Sequence, residues 1–358
     1  MDLNKLEPAD LRLLRRLLMN PGMRQSDLAK DLQVSRPMVN QTWHKLVRTN
    51  HLRVKSSVDY GKVGMSLVFG WAQASETSDQ LKAFCAWLDS NTQVTLASRS
   101  VMTSGTNAAV YFEAVTSLGR DPPFPARFID WSNDRTSDFG LRYDVAAEVS
   151  NHLNMGLFDG RQWTLDEGFR FEVSTGAMKD YADVLPAMNS LKLSKPSACT
   201  VENLAVLSVL EDSYHASVRE VTEYMSRLSL RCPPERTLRR RLDSIRSKMT
   251  LPYVFLSDIG LIHKAVLCVD SSSQESPLSR MLHIQAGTLP KARVVSGRSL
   301  SVLSIELPSL WNWLALSSSL IQITKSSAKT LTFIAQESAT RKTLEKALLR
   351  MTGKQSLA

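Results

Sequence analysis

The second half of this chain repeats the first. Sliding the sequence along itself by 196 residues sets Pro37 on Pro233, Leu32 on Leu228, Val34 on Leu230, Leu46 on Leu242, Val58 on Val254, Val63 on Ile259 and Gly64 on Gly260. Identity along this register is sparse, but apolar positions and the Pro and Gly punctuation coincide, which is what two copies of one fold retain. One ungapped register is expected from the second helix of each copy into the strand that follows. A shift of 193 then brings Phe112 onto Ile305, so a loop changes length in between. With 358 residues and 43% hydrophobic content, each unit has enough apolar surface to bury a core of its own.

Each copy opens with three helices and a strand. In the first, Leu11, Leu14, Leu17 and Leu18 line one side of a helix from Pro8 to Met19, and Asn20-Pro21-Gly22 stops it. Ser26 can cap a short helix through Leu32, and Ser35 before Arg36-Pro37 is a second N-cap signal, opening a helix to about Thr49. The alternation in Leu52 to Val58 is that of a half-exposed wing strand. Beyond Gly64 the order becomes strand, helix, strand, hairpin, strand, with Leu141 to Val149 able to supply a fourth strand, a split βαβ sandwich. The second copy runs the same course, with a hairpin between Ala292 and Leu300, a helix over Leu310 to Ile321 and a terminal helix over Arg341 to Met351. The expected class is therefore α+β: two winged helix-turn-helix domains (1–60 and 199–258), each followed by a ferredoxin-like βαββαβ sandwich (61–150 and 259–358). A connector over 151–198 joins them, with a strand near Phe169 to Val173 and a helix from Met178 to Ser190.

Lys and Arg (44) outnumber Asp and Glu (35), a formal charge of +9 that favours an anionic partner. No apolar run reaches the length of a membrane span and the N-terminus lacks a signal-peptide pattern, so a cytoplasmic protein without a membrane partner is expected. Cys85, Cys199, Cys232 and Cys268 are scattered, with no metal-ligand spacing, and read as small packing residues.

A helix fits the major groove and presents its outward side chains to base edges, so the third helix of each head is the informative element. In the first copy Val39, Trp43, Leu46 and Val47 recur at helical spacing and should face inward. Ser35, Arg36, Asn40, Gln41, His44, Lys45 and Arg48 are left outside, with Arg53 and Lys55 on the wing strand, a mixture of amides and cations suited to bases and phosphates of double-stranded DNA. In the second copy Leu238, Leu242 and Ile245 keep the inner stripe, Arg236, Arg239, Arg240, Arg246 and Lys248 populate the outside, and Arg241 falls nearer the inner edge. Such a basic helix grips phosphates more than it reads sequence. The plain alternative is a solvated charged face that binds nothing, and it weighs more on the second copy than on the first.

The string Ser26-Asp27-Leu28-Ala29-Lys30-Asp31-Leu32-Gln33-Val34-Ser35, the helix after it, and Val58-Asp59-Tyr60-Gly61-Lys62-Val63-Gly64 leading into the first sandwich strand resemble the Lrp/AsnC-type regulators of bacteria and archaea. The likeness spans residues 6–115 and, more weakly, 200–335. It implies a transcription regulator whose RAM-type sandwiches pair and take a small effector near the hairpin, here Ser104, Gly105 and Asn107 in one copy and Ser296, Gly297 and Arg298 in the other. Neither hairpin carries an acidic residue to meet an ammonium group, so the effector is not expected to be an amino acid. Paired sandwiches make the chain either a pseudo-dimer in itself or half of a four-reader homodimer, and the two unlike recognition helices imply an asymmetric operator.

For catalysis the search is mostly empty. There is no G-x-S-x-G, Walker or H-E-x-x-H motif, and the six histidines lie apart, so the chain is read as no enzyme, without cofactor or metal. Two rivals stand beside the regulator: a winged-helix module that binds protein, and a sirohaem-decarboxylase-like enzyme, a branch similar in architecture that can occur as a fused pair. The strand Asn107 to Phe112 echoes the latter, but the His and Arg richness expected just before it is confined to Arg99. Tryptophans such as Trp71, Trp87, Trp131, Trp163, Trp311 and Trp313 fall mostly on apolar stripes and read as core.

Overall fold

Each copy begins with the three-helix head that its leucine spacing demands. In the first, Pro8–Met19 (α1), Gln25–Asp31 (α2) and Arg36–Asn50 (α3) enclose Leu11, Leu13, Leu14, Leu17, Leu28, Val39 and Leu46. Each fully buried leucine contributes about 2 kcal/mol. Ser35 Oγ accepts from the Met38 amide (3.4 Å) and caps α3, whereas α2 starts at Gln25, one residue ahead of the expected cap. The computed structural model describes residues 5–103, 107–117, 124–164, 190–192, 200–271, 277–308, 329–336, 340–341 and 344. The strand expected near Phe169 to Val173, and the helices expected over 178–190, 310–321 and 341–351, lie outside these residues apart from positions 190, 341 and 344; so do Trp311 and Trp313.

The strand after the third helix finds its partner in the other copy. Arg53–Val58 (β1) leaves the first head and, further along, Thr250–Phe255 (β8) leaves the second; they pair antiparallel from Arg53 opposite Phe255 to Val58 opposite Thr250. Neither half-exposed strand folds back as a hairpin on its own head. The two heads are thereby yoked by one ribbon.

The first sandwich consists of Met65–Ser75 (β2), Asp79–Ser90 (α4), Val94–Thr103 (β3), Asn107–Ser117 (β4), Ala126–Asn133 (α5) and Gly140–Val145 (β5). Glu148–Leu153 (β6) and the short Ser190–Lys192 (β7) follow, and the second head is Val201–Asp212 (α6), Val218–Arg227 (α7) and Glu235–Met249 (α8). The second sandwich then holds His263–Asp270 (β9), Pro277–Ala286 (α9), Lys291–Ser296 (β10), Leu300–Leu307 (β11) and Lys329–Ala335 (β12), with Thr340–Arg341 (β13) beyond. Strand orders β5-β2-β4-β3 and β12-β9-β11-β10 are the same order of four strands twice. β3 pairs with β12 on one side. On the other the chain steps between sheets: the Ala146 amide donates to Leu67 O, the Ala147 amide donates to Ser296 O, and β6 runs along β10. The strand expected over Leu141 to Val149 is thus two strands, because this step changes its partner. The two sheets are stitched along both edges into one curled antiparallel sheet.

The copies differ in register at the third helix. Gln33 and Ser229, both with positive φ (55° and 50°), and Gly64 and Gly260 (72° and 79°) obey the shift of 196. The buried faces do not: Val39, Trp43 and Leu46 are matched by Leu238, Leu242 and Ile245, a shift of 199. The expected pairing of Pro37 with Pro233 and Leu46 with Leu242 is corrected accordingly. Arg231 to Pro234 lengthen the turn before α8, whereas α3 leaves through His51, in left-handed conformation (φ 48°), and Leu52, and α8 runs straight into β8.

Apolar residues fill three layers around the sheet. Phe84, Phe112, Phe124, Phe128 and Phe139 form an aromatic cluster, joined by Trp87 and Trp131, between the first sheet and α4 and α5. Leu282 on α9 packs with Leu289, Val294 and Leu303 in a second cluster. Between the sheets Phe69, Trp71, Val266, Val302 and Phe333 continue into the core of the second head, while Trp43 and Trp163 pack on the first head's core. Arg15 donates to Met155 O (3.3 Å) and Phe158 O (3.1 Å), so part of the connector belongs to the first head.

One ion pair crosses the inter-sheet core. Arg293 on β10 donates to both carboxylate oxygens of Glu113 on β4 (2.8 and 2.6 Å) and to Asn151 Oδ1 (3.0 Å), and the Tyr111 hydroxyl donates to Glu113 (2.7 Å). Glu113 and Tyr111 are buried, so removing one partner strands a charge in the core. Arg293→Met alone should cost about 3–5 kcal/mol in urea unfolding, and the double change Glu113→Leu with Arg293→Met should recover most of that loss. A single substitution as mild as the double would refute the assignment.

Candidate functional site

On α3 the structure exposes Arg36, Asn40, Gln41, His44 and Arg48 along one side, with Ser35 at the cap. Val47, expected inside, is 38% exposed and lies on the rim of this face. Lys45 is half-buried, donating to Asp10 (2.9 Å) and pairing with Glu7 (3.2 Å), and these carboxylates hold its pKa above the usual lysine value. On the ribbon Arg53 is exposed, whereas Lys55 pairs with Asp212 (3.3 Å) over the Phe255 ring. Lys45 and Lys55 therefore serve the packing of the heads.

On α8 Arg236, Arg239, Arg240 and Lys248 are exposed, Arg239 in an i,i+4 pair with Glu235 (2.8 Å). The shift of 199 puts Arg239 and Arg240 at the places of Asn40 and Gln41 in the first head. Arg246 instead points back, donating to Tyr214 O (2.8 Å) and Ala216 O (2.7 Å) and pairing with Asp243 (3.1 Å), which fixes the turn between α6 and α7. Arg241 lies 3.7 Å from Glu202. The first head thus offers amides and cations, the second mainly cations. Between the heads lies a cleft of about 840 Å³, with Trp43 and Arg53 on one side and Arg239 and Leu242 on the other.

Of the hairpin residues, Ser104 and Gly105 lie outside the described residues, and Asn107 opens β4 with its carbonyl accepting from the Thr103 hydroxyl (2.6 Å). Ser296 is buried against His283 (2.7 Å) and Arg298 is exposed. The tip of this second hairpin already holds a carboxylate. Asp144, at the end of β5, accepts from the Ser299 amide (2.7 Å), the Ser299 hydroxyl (3.1 Å) and the Leu300 amide (3.1 Å). A Cβ on Gly297 would lie 2.6 Å from that carboxylate, so glycine is what lets it enter. The acid missing from the hairpin sequence arrives from the other sandwich.

Beneath the ribbon the sheets leave a chamber of about 360 Å³, lined among others by His152, Lys264, Lys291, Arg293 and Ser304. No motif in the sequence marks it; its residues come from six strands, β3, β6, β8, β9, β10 and β11, and the loop after β8. Among the described residues no cluster of His, Cys, Asp and Glu is arranged to hold a metal, and no helix is long and apolar enough to cross a membrane. The Cys85, Cys232 and Cys268 thiols are free; burial pushes those of Cys85 and Cys268 above the usual thiol pKa.

No family model matches the chain, and no curated protein matches it in sequence. Solved structures do match its fold. Two of the siroheme decarboxylase NirDL, one of them in co-complex with an iron-uroporphyrin III analogue, each superpose with a TM-score of 0.51 at 12% identity. They cover 96% of this chain and 98% and 97% of their own. The architecture is thus shared from one end to the other. This corrects the expectation that the chain is no enzyme, since the proteins sharing the whole plan are enzymes by name. Missing nucleophile, phosphate-loop and zinc motifs exclude only the chemistry those motifs carry.

Two histidines meet at β6, the half-buried His152 on the strand itself and the buried His283 on α9. His283 bridges Ser150 Oγ and Ser296 Oγ (both 2.7 Å), and burial lowers its pKa; burial, then the nearby His283, lowers that of His152 to about 4. The folded state keeps both neutral, while the unfolded chain takes up protons below about pH 6.5. Stability is therefore full above that pH and falls as pH drops towards 4, by up to about 3 kcal/mol for His152. Urea midpoints measured from pH 7 to 4 should show this decline, and His152→Asn should flatten it.

Proposed function

We propose that the chain is a sequence-specific DNA-binding regulator that reads an asymmetric site with two unlike helices, α3 and α8, held at a fixed separation by the ribbon. The observation that carries this reading is the pair of outward faces: Arg36, Asn40, Gln41, His44 and Arg48 on one head, and Arg236, Arg239, Arg240 and Lys248 on the other, all exposed. Amides bond to adenine edges and arginines to guanine or phosphate, so the first helix supplies most of the discrimination and the second most of the grip. The formal charge of +9 agrees with a polyanionic partner, and the cytoplasm is where such a protein would meet it. Under this reading Lys45, Lys55 and Arg246 hold the heads together and leave phosphate contact to their neighbours.

Fluorescence anisotropy on genomic fragments tests it. Affinity should fall steeply between 50 and 200 mM salt, on the order of a hundredfold or more for several phosphate contacts. Asn40→Ala with Gln41→Ala should relax sequence preference by about 1–3 kcal/mol per contact, whereas Arg239→Ala with Arg240→Ala should weaken binding to all sequences and reduce the salt slope by about 2. Salt-independent binding would point to a protein-binding module instead.

The fold match favours a second reading, in which the chain binds a carboxylate-bearing tetrapyrrole and decarboxylates it, as the name of the matched enzyme says of that protein. The inter-head cleft is the roomier of the two cavities described above. Titration with iron uroporphyrin decides the point: a shifted Soret band and release of carbon dioxide are its expected outcome, and an unperturbed spectrum counts against it.

A further inference from the structure

The chamber beneath the ribbon has the attributes of a site with its guest missing. Three basic side chains, Lys264, Lys291 and Arg293, stand in its wall, Lys291 paired with Glu306 and Arg293 with Glu113. Two polar atoms of lining residues, Ser304 Oγ and His152 Nε2, are buried and find no hydrogen-bond partner among the described residues. Leaving such atoms unsatisfied costs about 1–3 kcal/mol each, a cost that a ligand able to bond them removes. Tyr253, Val254 and Phe255 add an apolar wall. At about 360 Å³ the chamber lies at the lower end of the range of small-ligand pockets, roughly 300–1,000 Å³.

The same residues hold the ribbon. Lys291 Nζ donates to Leu256 O (3.0 Å), lies over the Phe255 ring (4.7 Å) and pairs with Glu306 (2.7 Å). Asn151, which accepts from Arg293, donates to Ser57 Oγ on β1 (2.7 Å). A guest that draws Lys291 or Arg293 towards itself must loosen or retension β1 and β8.

We infer that this chamber binds a small organic carboxylate, and that its occupancy alters the pose of the two heads through the ribbon. Binding stands on the chamber alone; the coupling to heads that grip DNA rests on the function proposed above. The carboxylate oxygens meet Lys264 Nζ and Ser304 Oγ, and the apolar body lies against Phe255. Lys264 already donates to Ser98 Oγ (3.1 Å), which holds its ammonium in place.

Isothermal titration of the full chain without DNA, using succinate, adipate and benzoate as probes and inorganic phosphate as a control, tests the site. At least one carboxylate should bind with one-to-one stoichiometry, and both Ser304→Ala and Lys264→Met should weaken it tenfold or more. Ser304→Ala removes a hydroxyl that bonds nothing, so it should fold even where Lys264→Met does not. No carboxylate binding up to 10 mM, preference for phosphate, or binding indifferent to both substitutions overturns the site. Anisotropy with and without the bound carboxylate then tests the coupling: a change in DNA affinity of threefold or more that Ser304→Ala abolishes supports it. Carboxylate binding with unchanged DNA affinity overturns the coupling and leaves the site, whereas a chain that binds carboxylate but no DNA at all overturns the proposed regulator instead.

Discussion

Everything in this molecule follows from one backbone pairing, the six-residue antiparallel ribbon between β1 and β8. A strand that leaves a three-helix head with its amides and carbonyls unpaired must find a partner, and here the partner is the equivalent strand of the other copy. That choice brings the two heads together. It also opens the inter-head cleft and puts the chamber immediately below. The pairings of β3 with β12 and β6 with β10 then repeat the decision further down, in the sandwiches.

Pairing within a chain frees the two halves to diverge. In the first, Glu113 is a buried carboxylate whose guanidinium partner belongs to the second; in the second, the hairpin tip wraps a carboxylate, Asp144, that belongs to the first. Each half is therefore incomplete without the other. The third helices have diverged most visibly, one keeping amides where the other has arginines. An assembly of this kind has no reason to meet a symmetric partner, whether that partner is a duplex or an organic ligand.

Much of the fold was legible because it rests on local signals. The leucine stripe of α1, the serine before Arg36 and the paired glycines at 64 and 260 each answer to backbone or burial rules that act over a few residues. The strand change at Ala146 and Ala147 was not legible, since nothing in a short apolar run says which of two sheets it will join. The register of α8 does not follow its punctuation, because Pro233 matches Pro37 by type while the buried stripe of Leu238, Leu242 and Ile245 answers to Val39, Trp43 and Leu46. At the candidate interface the outward positions of α3 followed from helical spacing. That Lys45, Lys55 and Arg246 bond inward depends on acids and carbonyls 30 residues or more away in sequence, which spacing cannot see. The chamber is illegible for the same reason, since its residues meet only in the fold, and missing nucleophile, phosphate-loop and zinc motifs do not by themselves exclude an enzyme.

Under the proposed function one chain presents two different helices to one duplex. Selection of binding sites from a random DNA library with the full-length protein, combined with the mass of the resulting complex, addresses it most directly. A non-palindromic motif bound by a single chain is the predicted result; a palindrome occupied by two chains, or a library that shows no enrichment, would contradict it.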